Sequence, residues 1–130
     1  MNTLSALTQD RRNDMAGAGL RTYINIAKAW NLSGADAARL LGTYPSTYRR
    51  WRKNDKPNMD ASQLERLSLI LGIYKALQIL LPRQDAADSW VNRTNQHPLF
   101  AGEPPIQRMK GGQVSDLFVV RSYLDAERGG

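Results

Sequence analysis

The sequence predicts an all-α protein: an N-terminal helical bundle built around two short helices and a tight turn, joined by a long central helix to a small helical C-terminal domain. Three observations carry this. Residues 33–53, SGADAARLLGTYPSTYRRWRK, read as helix, glycine stop, proline start and second helix. Residues 60–81, DASQLERLSLILGIYKALQILL, form one long segment with apolar residues at helical spacing. After Pro82 the helical segments become short, near 85–93 and 114–126, and are separated by proline and glycine breaks. With 130 residues and 42% hydrophobic content, the chain supports one core or two small helical subdomains sharing an interface. Two large domains are excluded.

Each element follows from local chemistry. Residues 1–19 are polar and rich in Gly and Ala without sustained periodicity, which predicts a loose arm with solvated Arg11 and Arg12. Leu20, Tyr23, Ile24, Ala27 and Trp30 then follow helical spacing as far as Asn31 and give a bracing helix. Ser33 caps the next helix, Asp36 is placed to reach back to it, and Leu32 can pack over Ala37. Its buried stripe is Ala37, Leu40 and Leu41, with small Ala38 where another helix comes close, and Gly42 stops it. Pro45 suits the first position of a new helix, so only Thr43 and Tyr44 are left to turn the chain. On that second helix Tyr48 and Trp51 share an inward face, while Ser46, Arg49, Arg50 and Lys53 project outward.

Beyond the KNDKPN loop, Leu64, Leu67, Leu71, Tyr74, Leu77 and Leu81 stripe the long helix, and Ile70, Ile73 and Leu80 make it apolar on a second side until Pro82. Such a helix needs two partners: the N-terminal bundle, and either the C-terminal domain or a second copy of the chain. A short helix carrying Trp90 follows, then an ordered loop shaped by Pro98, Gly102, Pro104 and Pro105 and anchored by Leu99, Phe100 and Ile106. The last helix, near 114–126, has Val114, Leu117, Phe118, Val120 and Leu124 as its apolar side, which is expected to divide between the core and a partner interface. The expected organisation is an arm (1–19), a helix-turn-helix unit with the central helix (20–81) and a C-terminal domain (82–130).

Charge gives the first functional signal. The chain carries a net +6, and residues 39–56 hold six basic residues against the single acidic Asp55. The excess charge therefore lies on or beside the second short helix, and the rest of the chain is near neutral. A protruding helix with a local positive patch suits phosphate neutralisation in the major groove of double-stranded DNA. Ser46, Arg49 and Arg50 are the candidates for base edges or nearby phosphates, with Tyr44, Thr47 and Lys53 flanking them. Arg52 and Lys56 read as non-specific contributors, and an ordinary helical hairpin with a solvated basic face is the competing reading.

Other classes fare poorly. The chain contains no Cys and one histidine, His97, in a loop before Pro98, so no disulfide, thiolate metal site or catalytic triad can be assembled. Asp85 and Asp88 are explained by a solvated first helical turn. No catalytic residue, cofactor or metal is expected. The N-terminal segment lacks a signal-peptide core, and the apolar stretch at 69–81 is interrupted by Gly72, Tyr74, Lys75 and Gln78, so no membrane span is expected and the cytoplasm is the default compartment.

The helix-turn-helix spacing resembles that of phage-repressor-like, Xre-type regulators: small Ala38, Gly42 four residues on, then Tyr48 and Trp51 buried six and nine beyond it. Tyr48 and Trp51 are bulkier than the aliphatic residues usual there. The C-terminal order Trp90, Asn95, Leu99, Phe100, Gly102, Pro105, Gly112, Val114, Tyr123, Leu124 and Gly129 resembles the C-terminal domain of MbcA/ParS/Xre antitoxins. The resemblance implies a protein that neutralises a partner toxin, typically a RES-domain enzyme that depletes NAD or a related ADP-ribosyltransferase. It also implies that the C-terminal domain obstructs the toxin active site while the helix-turn-helix represses the operon, as a dimer on inverted half-sites. Within the last helix, Arg121, Tyr123, Leu124, Asp125 and Arg128 are the residues expected to face the toxin. The alternative is a free-standing dimeric repressor with a C-terminal dimerisation or ligand-sensing domain. Removing residues 114–130 is expected to separate the two: an antitoxin would lose neutralisation and keep operator binding.

Overall fold

Why a glycine- and alanine-rich N-terminus should be helical is answered by what lies against it. The computed structural model describes residues 3–54 and 56–129, and its first helix, α1, runs unbroken over Thr3–Ala29. The loose arm expected for 1–19 is therefore replaced by helix from Thr3 onward. Ala16, Gly17 and Leu20 are buried, and a Cβ at Gly19 would come within 2.9 Å of the Leu67 side chain. The small residues form a close-packing face. Glycine weakens a helix interior by about 1 kcal/mol relative to alanine, a cost that packing against the central helix offsets.

The helix-turn-helix comprises α2 (Gly34–Leu40) and α3 (Pro45–Lys53). The central helix α4 (Ala61–Leu80) starts in a capping box between Asp60 and Gln63, and it stops before Pro82, which lacks the N–H a further turn needs. It packs against α1 on one side and, on the other, against the last helix, α7 (Val114–Glu127). Both apolar sides of α4 are thus covered within one chain, and Leu67, Ile70, Ile73, Ala76 and Leu77 are buried between them. Between α4 and α7 lie α5 (Gln84–Ser89), a 3₁₀ turn at Trp90–Asn92, and α6 (Pro105–Met109).

The apolar side of α7 divides between core and surface, and one expectation about this helix changes. Leu117, Val120 and Leu124 are buried, but Phe118 is 58% exposed, because α7 turns only one stripe toward α4. Deleting 114–130 would also strip those three side chains from the core, each contributing about 1.5–3 kcal/mol by burial. Truncation therefore cannot separate toxin binding from folding, and point substitutions on the exposed stripe are needed.

Side-chain hydrogen bonds to backbone carbonyls tie α1, α2 and α4 to the C-terminal region. Asn92 Nδ2 donates to the Trp30 carbonyl at 2.8 Å, Arg39 Nε donates to the Lys110 carbonyl at 2.6 Å, and Arg66 Nη2 donates to the Gly112 carbonyl at 2.8 Å.

Candidate functional sites

The first site is α3, and its presentation is over-determined. The Ser33 hydroxyl oxygen accepts from the Asp36 N–H at 3.1 Å and starts α2. The Asp36 carboxylate, expected to reach back to that cap, instead meets Lys110 Nζ at 3.1 Å, an attraction toward a full positive charge. At the other end of α2, the N–H groups of Gly42 and Thr43 return to the carbonyls of Arg39 and Ala38, each at 3.0 Å, and Gly42 takes φ +69°. This Schellman arrangement closes α2 and needs a residue free of the Cβ clash. Tyr44, extended at the N-cap, and Pro45 at the first position then start α3 at once.

Below α3, Tyr48 is 3% and Trp51 5% exposed. The Tyr48 ring meets Tyr23 of α1 edge to face at 6.1 Å, and the Tyr23 hydroxyl donates to the Ala37 carbonyl at 2.8 Å. One tyrosine thus fastens α1 to both helices of the motif. Burial, and then the neighbouring Tyr48 and Asp36, push the Tyr23 phenol well above its ordinary value of 10.0. Burial raises Tyr48 as well, partly countered by Arg52, whose guanidinium lies 5.0 Å from the Tyr48 ring centroid.

The outward face carries Ser46, Arg49, Arg50 and Lys53, all exposed, with Thr47 half-buried and Tyr44 76% exposed. Among the described residues, Arg49, Arg50 and Lys53 make no ion pair, so their charge is unspent. Arg52 is held over Tyr48, and Lys56 lies 3.9 Å from Asp14 with both side chains largely in solvent.

The second site is the outer face of α7. Phe118, Arg121, Asp125 and Arg128 follow one another at helical spacing along it. Arg121 Nε donates to both oxygens of Asp125, at 3.0 and 3.3 Å, and Arg128 Nη1 lies 3.9 Å from the same carboxylate. The Arg121 guanidinium lies across Gly72 of α4, where a Cβ would meet Arg121 Nη1 at 1.7 Å. The position of Arg121 is fixed from two sides. Leu124, expected to face a partner, is 2% exposed and belongs to the core, because it lies on the stripe that meets α4.

Tyr123 sits on the flank of that helix within an aromatic cluster. Its ring lies 4.7 Å from His97, 5.5 Å from Phe100 and 6.2 Å from Trp90. Burial, with a smaller contribution from Glu127, raises its phenol. The Asn95–Gly102 segment that brings His97 and Phe100 there is a closed knot. Asn95 Oδ1 accepts from the His97 N–H at 2.9 Å, the Asn95 carbonyl accepts from the Gly102 N–H at 3.0 Å, and Gly102 takes φ +84°. Leu99 N–H donates to His97 Nδ1 at 3.1 Å, so the lone histidine is a structural member of the knot. Among the described residues no group of His, Cys, Asp and Glu side chains could hold a metal ion, and no helix is long and apolar enough to cross a membrane.

Comparison with known proteins matches both halves. Residues 11–72 fit the antitoxin Xre-like helix-turn-helix domain, and residues 76–130 fit the antitoxin Xre/MbcA/ParS C-terminal toxin-binding domain. The chain belongs to the Xre/MbcA/ParS family of antitoxins. A relative described as the uncharacterised protein y4oB of Sinorhizobium fredii is 42% identical over 114 residues, covering 87% of this chain and 86% of that protein. The boundary between the two matches falls within α4, the helix whose two sides serve the two halves of the antitoxin.

Proposed function

We propose that this antitoxin neutralises a RES-domain toxin that depletes NAD, or a related ADP-ribosyltransferase, by covering its active site with the C-terminal domain, residues 82–130. The observation that carries the reading is the exposed Phe118 beside the half-exposed Arg121, Asp125 and Arg128 on one stripe of α7, inside the matched toxin-binding domain. An exposed aromatic residue beside a pre-positioned guanidinium is the composition of an interface hot spot. A pocket that binds NAD must accommodate pyrophosphate, which arginine matches in geometry and charge. Tyr123 flanks this contact. Leu124 supports it from the core.

The helix-turn-helix, within residues 20–81, represses the antitoxin's own operon as a homodimer on inverted half-sites about one helical turn apart. The charges of Arg49, Arg50 and Lys53, which make no ion pair among the described residues, make the groove contacts with Ser46, Thr47 and Tyr44. Both tasks belong in the cytoplasm, where operator and NAD are found.

Affinity purification of a tagged copy from its native cells, after a high-salt wash that strips nucleic acid, tests the reading. The expected result is a near-stoichiometric small enzyme encoded by the neighbouring reading frame. The same capture with Phe118→Asp, a change at an exposed position, should lose that enzyme while far-UV circular dichroism stays native. Capture of the wild-type protein alone, from cells expressing its neighbours, would contradict the proposal.

A further inference from the structure

A cleft of about 720 Å³ opens between the helix-turn-helix and the loop joining α6 to α7. One wall is Arg39 of α2 with Tyr44 and Pro45 at the start of α3, and the other is Gly111, Gly112 and Gln113. The cleft is continuous with the DNA-facing helix, since Tyr44 and Pro45 belong to both.

Its charge suits a phosphate. Arg39 spends Nε on the Lys110 carbonyl, which pins the guanidinium beside Gly112, and its remaining N–H groups have no partner among the described residues. The carboxylate in the cleft wall, Asp36, is already paired with Lys110 at 3.1 Å. The Gly111–Gln113 loop is itself held, by Arg66 on the Gly112 carbonyl and by the Gln113 N–H on Asp116 at 3.0 Å.

We infer that the α6–α7 loop of the toxin-binding domain and Arg39 form a second wall of the DNA site, clamping the sugar-phosphate backbone that flanks the groove entered by α3. This rests on the proposed DNA binding and extends it to residues outside the helix-turn-helix. The toxin-binding half then contributes to operator affinity directly. The bound phosphate would sit beside Arg39, with Gln113 on the opposite side.

The test is fluorescence anisotropy of the full-length protein on a duplex carrying the region upstream of its own reading frame, across a salt series. Gln113→Glu places a negative charge at the cleft and leaves the backbone N–H and carbonyl of position 113, which bond to Asp116 at the start of α7, in place. It should weaken binding roughly tenfold at low salt, with the loss shrinking as salt rises. Arg39→Ala should lower the salt slope by about one. Arg50→Ala, on α3 and away from the cleft, separates the possibilities. If it weakens binding while Gln113→Glu and Arg39→Ala leave affinity and slope unchanged, with native circular dichroism, the clamp is refuted and the helix-turn-helix contact stands. If the wild-type protein binds no duplex, both are refuted.

Discussion

Replacing Gly72 with alanine should make the protein slightly more stable and a poorer toxin binder. A Cβ at position 72 would lie 1.7 Å from Arg121 Nη1, 2.3 Å from Cζ and 2.9 Å from Nε, so the guanidinium must leave its notch. Those three nearest atoms all belong to one flexible side chain, which can swing aside. Displacing Arg121 forfeits its pairing with Asp125, a half-exposed i,i+4 contact worth about 0.3–0.5 kcal/mol. Alanine in place of glycine in a helix interior contributes about 1 kcal/mol, partly by restricting the unfolded chain. The net effect is about 0.5 kcal/mol of stabilisation, or roughly 2 °C in Tm. Losing a pre-positioned arginine from the centre of an interface should at the same time weaken toxin binding about tenfold. Thermal denaturation and titration calorimetry with the captured toxin read the two effects separately. Destabilisation beyond about 1 kcal/mol would show that the helix backbones need the notch. Unchanged toxin affinity would show that the position of Arg121 is not used.

Two further outcomes follow from the α3 site. Tyr23→Phe removes the 2.8 Å hydrogen bond to the Ala37 carbonyl and should cost about 1–2 kcal/mol in urea unfolding. Because burial raises the Tyr23 and Tyr48 phenols in the folded state, the stability they contribute is fully present below about pH 10 and lost as pH rises beyond it. The wild-type Tm should therefore fall above pH 10, and Tyr23→Phe should flatten that fall; parallel curves would refute the linkage. Arg50→Ala should weaken operator binding and reduce the salt slope by about one, and an unchanged slope would remove Arg50 from the DNA contact.

Local chemistry made most of the fold legible. Ser33, Gly42, Pro45 and Pro82 place helix ends by their own conformational and hydrogen-bonding preferences, and those ends stand where the sequence puts them. The helix at 3–19 was hidden because its evidence is the absence of side chains. Ala16 and Gly19 look like a linker until Ala16 is seen buried and Leu67 is seen packed against Gly19. Which apolar residues of α7 serve the core stayed open in the sequence, because an apolar residue in a short amphipathic helix carries no mark distinguishing core from interface. Only the crossing of α7 over α4 decides it, and the same crossing sends Leu124 inward. The outward cluster of Ser46, Arg49, Arg50 and Lys53 was readable because Tyr48 and Trp51 fix the opposite face. The bonds of Arg39 and Arg66 to the Lys110 and Gly112 carbonyls had no sequence signal, since backbone acceptors are indistinguishable in a sequence.

The most direct measurement is NAD consumption by the enzyme of the neighbouring reading frame, titrated with the antitoxin. With wild-type protein, turnover should stop near stoichiometric addition, and Phe118→Asp should leave it running. Undiminished NAD consumption by an enzyme saturated with bound wild-type antitoxin would contradict obstruction of the active site by the C-terminal domain.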